Sequence, residues 1–189
     1  MAELIRCAVH RKDWRVLVTA PSNVAVDNVL DRVMSLENEK KTNVSSKRNA
    51  SLKTKVKAVR IGHPARIHHG IQKYSLESLV QSSDGTEIVK DCRSELNGYL
   101  KTLSNASSRP AEKILAYQEM KALRKEIRTR EEKVVGEILR NSNVVFATNV
   151  GAASSLFNRM TDAKGNRIAF DLVIIDEAAQ ALEASCWIR

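Results

Sequence analysis

The chain has 189 residues, enough for one domain with a full core or one domain with an excursion, and too few for two complete domains. Apolar residues make up 43% and charged residues 28%, and the longest aliphatic run, Leu172 to Ile175, is too short to cross a bilayer, so no helical membrane span is expected. The formal charge of +9 is concentrated rather than spread, which turns attention to polyanionic partners.

The opening residues Ala2 to Arg6 lack the basic start, apolar stretch and cleavage site of a secretory signal. An intracellular location, nucleus or cytoplasm or both, is therefore expected. The first nine residues read as the tail of a helix, with Leu4, Ile5, Ala8 and Val9 on one side and no start signal in front, which points to a beginning elsewhere. Cys7, Cys92 and Cys186 are odd in number and scattered, so neither a disulfide framework nor a zinc knuckle is supported.

Residues 15–20 form the first expected strand, an apolar, β-branched run. It leads into Pro21, Ser22 and Asn23 and then an amphipathic helix carrying Val26, Val29, Leu30 and Val33, with Ser22 placed as its cap. Such a turn offers unpaired N–H groups and a positive dipole end, able to hold a phosphate without reading bases; the plainer reading is a simple cap. From Lys40 to Arg60 follow Lys40, Lys41, Lys47, Arg48, Lys53, Lys55, Lys57 and Arg60 with no acid between them. Two readings stand: a solvated loop, or a phosphate-attracting patch.

The second strand is expected over 56–61 and ends in Arg60, Ile61, Gly62, His63, Pro64, Ala65 and Arg66. His63, His68 and His69 lack a companion ligand cluster and read as loop or surface histidines. A long excursion follows, expected over 74–140. Ile88, Val89, Cys92, Leu96, Tyr99, Leu100 and Leu103 recur at helical spacing, as do Ile114, Tyr117, Leu123, Ile127, Val134, Val135 and Ile138. The Ser- and Asn-rich break from Ser104 to Pro110 makes them an antiparallel helical pair, with Lys121 to Lys133 as a mostly solvated face.

Residues 143–148 and 171–176 supply two more strands. Strands of this kind alternating with helices call for an α/β architecture, a parallel sheet flanked by helices, with residues 1–73 and 141–189 forming the sheet unit. The last strand delivers Asp176 and Glu177. Ligands of open α/β sheets bind beyond the carboxyl ends of strands, so two carboxylates there lie where a nucleotide would sit. Magnesium takes hard oxygen ligands and keeps waters, which suits Asp176, while Glu177 is placed to orient or deprotonate a water attacking a phosphate. Aromatics are only 4% of the chain, favouring backbone contacts over rows of stacked bases.

Ala20 to Asn28, Arg60 to Arg66, Ala147 to Ala152 and Asp176 to Trp187 together resemble the up-frameshift-type superfamily-1 helicases, over nearly the whole chain except the basic stretch near Lys40 to Lys55. The resemblance implies an incomplete RecA-like, P-loop NTPase fold of an ATP- and magnesium-dependent enzyme that moves 5′ to 3′ on single-stranded DNA or RNA. By matching motif it makes Asp176 the magnesium-associated carboxylate, acting through water, Glu177 the catalytic glutamate and Gln180 a helper near the γ-phosphate. Pro21, Ser22, Asn23, Thr148 and Asn149 fall on the nucleic-acid track; His63 and Arg66 match without an assigned role.

Against the family pattern, none of its seven glycines is followed by lysine, so the Gly-Lys-Thr or Gly-Lys-Ser phosphate cradle is expected to be missing from these residues. The second motor domain is expected to be missing from them as well. Hydrolysis by this polypeptide alone is not expected, and a sheet deprived of a central strand is expected to be marginally stable and to associate. Two alternatives follow: a non-catalytic single-stranded nucleic-acid-binding module, or a pseudo-motor scaffold that docks through its helical pair.

Overall fold

A computed structural model describes residues 1–42, 54–83, 85–104, 109–158 and 169–187. The chain forms two compact units, residues 1–79 with 136–189 and residues 80–135.

The first unit is built on four parallel strands, β1 (Val16–Ala20), β2 (Ala58–Arg60), β3 (Val144–Thr148) and β4 (Leu172–Ile175), in the order β2-β3-β1-β4. In the register, Ala20 lies opposite Thr148 and Thr19 opposite Ile175, so β1, β3 and β4 finish at one level, while β2 ends at Arg60 opposite Phe146. Every residue of β1 is buried, which is why the sequence shows an unbroken apolar run instead of alternation.

The two faces of the sheet divide by parity. Val16, Val18, Ala20, Val144, Phe146 and Ile174 enter the main core with Ile5 and Val9 of α1 (Ala2–Lys12) and Val26, Leu30 and Val33 of α2 (Asn23–Thr42). Phe146 is fully buried, a contribution of roughly 1.5–3 kcal/mol. Leu17, Thr19, Val173 and Ile175 face instead the short helices α6 (Asn149–Ala152) and α8 (Glu183–Cys186). A further short helix, α7 (Ser155–Asn158), follows α6.

α1 begins at Met1 without a side-chain cap, as its sequence implies, and ends where Asp13 turns left-handed (φ 57°) and the last carbonyls of Ala8 and Val9 are satisfied. Beneath it lies a charged network that the hydrophobic pattern hides. Glu37 accepts from Arg6 Nε (3.4 Å), pairs with His10 Nε2 (3.0 Å) and accepts from the Val56 N–H (3.5 Å), while His10 Nδ1 meets the Thr54 carbonyl.

That network explains why β2 is shorter than the expected 56–61. The Val56 N–H goes to Glu37, the Lys57 N–H goes to Asn143 Oδ1 (2.8 Å), and Asn143 Nδ2 returns to the Lys55 carbonyl (2.8 Å). Side chains thus replace the ladder at the strand's entrance, although Ile61 N still donates to Phe146 O.

Of the basic stretch, Lys47, Arg48 and Lys53 and the side chains of Lys40 and Lys41 lie outside the described residues. Lys55 and Lys57 are exposed. Arg60 corrects the expectation: it is fully buried and ion-paired, so its charge adds nothing to a surface patch. His63, His68 and His69 are exposed; His63 and His68 each accept, through Nδ1, the N–H two residues on and so cap short 3-10 helices at Pro64–Arg66 and His69–Tyr74.

After α3 (Leu76–Gln81), the second unit consists of α4 (Gly85–Ser104) and most of α5 (Pro110–Asn141). Pro110 opens α5 as expected, and the Arg109 N–H donates to Glu112 in its first turn (3.1 Å). The buried stripe is Cys92, Ala116, Met120 and Leu123, whereas Ile114 and Tyr117, expected on the apolar side, are 63% and 59% exposed. The small Ala116 permits close approach, so the 116–120–123 stripe takes the packing and turns Ile114 and Tyr117 outward. The charged face carries i,i+4 pairs, Arg128 with Glu132 and Arg130 with Glu126, as expected for solvated helix.

Candidate functional site

Because all four strands are parallel, and β1, β3 and β4 end in register while β2 ends opposite Phe146, the segments that follow them lie toward one rim of the sheet. Pro21 to Asn23 leave β1, Asn149 leaves β3, Asp176 and Glu177 leave β4, and Ile61 leaves β2.

At β1, Ser22 caps α2: its Oγ accepts from the Ala25 N–H at 3.1 Å, and its carbonyl takes the Val26 N–H. No acidic residue sits in the first turn of α2, so no side-chain charge of that turn offsets the positive end of the helix dipole. Asn23 is half-buried, and its Oδ1 accepts from Arg60 Nη2 at 2.9 Å. Arg60 Nε in turn donates to Asp27 Oδ1 at 2.8 Å, and Asp27 Oδ2 accepts the His68 N–H at 2.8 Å. The start of α2 is thereby tied to the end of β2 and to the loop after it. An open groove of about 380 Å³ lies alongside, lined by Val24, Asn28, Asp31, Arg66 and His68 among others.

Arg60 and Asp27 are residues of the candidate site whose pairing pattern reading missed. The available signals were a cation closing a strand buried on both sides, and an acid on the apolar side of α2 one helical turn after Asn23. Two unlike charges in positions where neither survives alone imply each other.

At β3, Thr148 caps α6, its Oγ accepting from the Gly151 N–H at 3.0 Å. A Cβ at Gly151 would fall 2.9 Å from that oxygen, so the close turn requires glycine. Asn149 departs from the expectation of a surface contact. It is 3% exposed, and neither atom of its amide finds a partner among the described residues. It faces a cavity of about 10 Å³ bounded by Thr19, Ile175, Ser185 and Cys186, room for about one water.

At β4, the Asp176 N–H donates to the Thr19 carbonyl (2.8 Å), continuing the ladder one residue past the strand, and its Oδ1 accepts from the Glu177 N–H (3.0 Å). Glu177 is exposed and left-handed (φ 50°, ψ 34°), a conformation that costs an L-residue roughly 1–2 kcal/mol. Strain of this kind accumulates at functional turns. The one-turn 3-10 helix Ala178–Gln180 follows, and Gln180 is exposed.

Among the described residues no cluster of three or more His, Cys, Asp or Glu is placed to hold a metal. After β4, Asp176 offers a half-buried hard-oxygen ligand. That donor set fits magnesium, which takes one or two carboxylates and completes its shell with phosphate oxygens and water.

Residues 2–189 match the family model described as AAA domain. The chain is 35% identical to DNA-binding protein SMUBP-2 of Mesocricetus auratus over 188 residues, 100% of this chain and 17% of that protein. It is 35% identical to the DNA polymerase alpha-associated DNA helicase A of Schizosaccharomyces pombe, covering 24% of it, and 28% identical to an uncharacterized ATP-dependent helicase of Methanocaldococcus jannaschii, covering 30% of it, with 100% of this chain aligned in both. The chain thus spans less than a third of the length of these relatives. With the parallel sheet, the rim and a match along its whole length, the chain belongs to this AAA domain family.

Proposed function

We propose that this rim is the working edge of an ATP-driven helicase motor that acts on single-stranded DNA or RNA, in the nucleus or cytoplasm. The observation that best supports the reading is the register: the turn after β1, the Thr148 cap and the Asp176–Glu177 pair leave one sheet at one level. Fuel and track are then served from a single edge. The names of the relatives, a DNA-binding protein and helicases, agree with it.

In this reading Asp176 would hold magnesium, through water, which would supply charge neutralisation to the phosphates. Glu177 orients and deprotonates the attacking water, its strained backbone holding the carboxylate clear of the sheet; Gln180 senses the γ-phosphate from the next turn. Pro21, Ser22, Asn23 and Thr148 border the nucleic-acid backbone. Asn149 lies beneath it and supports the turn without touching the strand. Catalysis needs a Gly-Lys-Thr or Gly-Lys-Ser loop, which these 189 residues do not contain, so turnover is assigned to a longer polypeptide. That same lack favours a second reading of this stretch by itself, as a module that only holds nucleic acid.

In the complete protein Glu177→Gln should lower ATP turnover by about 10²–10⁴-fold while nucleotide still binds. Retained turnover would place the catalytic carboxylate elsewhere. For the chain alone, single-strand affinity should fall with salt at a logarithmic slope of roughly −2 to −3, from about three to four phosphate contacts. Salt-insensitive binding, or none, would remove the track.

A further inference from the structure

We infer that Arg60 is a positioning residue for nucleic-acid binding: its buried guanidinium fixes the orientation of the Asn23 side-chain amide, so that Asn23 presents two N–H donors to a phosphate. The inference rests on the reading of the 21–23 turn proposed above.

The guanidinium is fully buried and spends its donors on three acceptors: Nε on Asp27 Oδ1 (2.8 Å), Nη1 on the Ile61 carbonyl (2.5 Å) and Nη2 on Asn23 Oδ1 (2.9 Å). An asparagine amide normally flips to suit whatever approaches it. Here a flip would set the Asn23 NH₂ against the NH₂ of Arg60, donor against donor, and Asp27 and Ile61 leave the guanidinium no way to yield. Among the described residues no acceptor takes the Asn23 Nδ2 hydrogens. Asn23 therefore stands at the first turn of α2 with its oxygen turned inward and its donors left over, the polarity that suits an anionic oxygen at a helix start.

The surroundings hold this arrangement in place. A Cβ at Gly62 would come 2.9 Å from Arg60 Nη1, so glycine lets the loop after β2 close over the guanidinium without displacing it. Asp27 uses its second oxygen on the His68 N–H, which pins the far side of the same loop. A lysine at position 60 retains the charge toward Asp27 but lacks the planar fork needed to reach Asp27 and Asn23 together.

The test is a double-mutant cycle in the full chain, Arg60→Lys with Asn23→Ala, read as affinity for a labelled single-stranded oligonucleotide at fixed salt, with circular dichroism as the control for folding. Each single variant should bind about ten-fold more weakly, and Arg60→Lys should cost nothing further once Asn23 is alanine. An undiminished penalty for Arg60→Lys in the Asn23→Ala background would overturn the inference and leave the reading of the turn standing. Wild-type binding by Asn23→Ala would instead defeat that reading, and the inference with it. Asn23→Asp covers a failure of Arg60→Lys to fold: it keeps an oxygen for Arg60 and loses the donors, so it should melt no lower than the parent yet bind at least about ten-fold more weakly. Parental binding by Asn23→Asp would overturn the inference. A readout that a purely structural role would leave unchanged is the Asn23 side-chain amide resonance, which Arg60→Lys should shift.

Discussion

The turn after β1 and the turn after β4 occupy the same rim of one sheet and are held in opposite ways. The first is anchored from below by a fully buried ion pair, Arg60 with Asp27, and its asparagine is locked by a guanidinium. The second has no buried ion pair beneath it: the Asp176 N–H donates to the Thr19 carbonyl, the Glu177 N–H donates to the adjacent Asp176 carboxylate, and its glutamate is exposed and left-handed. β1 is buried throughout, whereas β4, at the end of the sheet, is buried only at Ile174. A surface that grips a repeating backbone gains from rigidity, because each ordered donor binds at a lower entropic cost. Carboxylates that must follow a nucleotide through its cycle gain from a turn that few side-chain contacts hold fixed.

Stability measurements break or sharpen this contrast. Asp27→Ala leaves a buried guanidinium unpaired and should cost about 3–5 kcal/mol in urea unfolding, whereas Asp176→Ala, at the loosely held turn, should stay within about 0.5 kcal/mol. Equal losses at the two positions would erase the distinction. A smaller effect, of opposite sign, is expected at Glu177: Glu177→Gly relieves the left-handed strain and should raise stability by up to about 1 kcal/mol, part of the relief being offset by the added freedom of the unfolded chain. A loss of stability there would show that the turn is not strained.

The gentlest probe is acid. Burial works against ionisation of Glu37, but His10, the Val56 N–H and Arg6 outweigh it and hold its carboxyl below the ordinary value of 4.5. A carboxyl depressed in the folded state stabilises above its unfolded pKa, and that contribution is lost as pH falls from about 4.5 through the lower folded value. Urea midpoints should therefore decline on the acid side of that point, and Glu37→Gln should flatten the decline. An identical acid limb in the variant would remove Glu37 from the linkage.

Much of this was legible in one dimension. The unbroken apolar runs around residues 16–20 and 144–148 announced strands buried on both faces, hence parallel ones, and Ser22 and Pro110 marked helix starts by chemistry that acts within a few residues. The placement of Asp176 and Glu177 at a strand end followed from the same local logic. By contrast Ile114 and Tyr117 carried an apolar label that the packing of Ala116, Met120 and Leu123 overrode, since helical spacing alone admits more than one face. Asn149, expected at the surface, is enclosed because α6 packs over the sheet next to α8.

What the sequence by itself determined is whatever depends on neighbours along the chain: the strand runs, the caps and the family to which the motifs belong. Only the tertiary structure decided which charges are spent inside. Arg60 reads as one more cation in a basic stretch until Asp27, 33 residues earlier, is brought against it, and nothing near Glu37 in the chain announces that His10 and Arg6 meet it from α1. The reason is that desolvation and pairing depend on distance in space, where a buried charge is costly alone and tolerable with its partner, and no local pattern records which distant residue that partner will be.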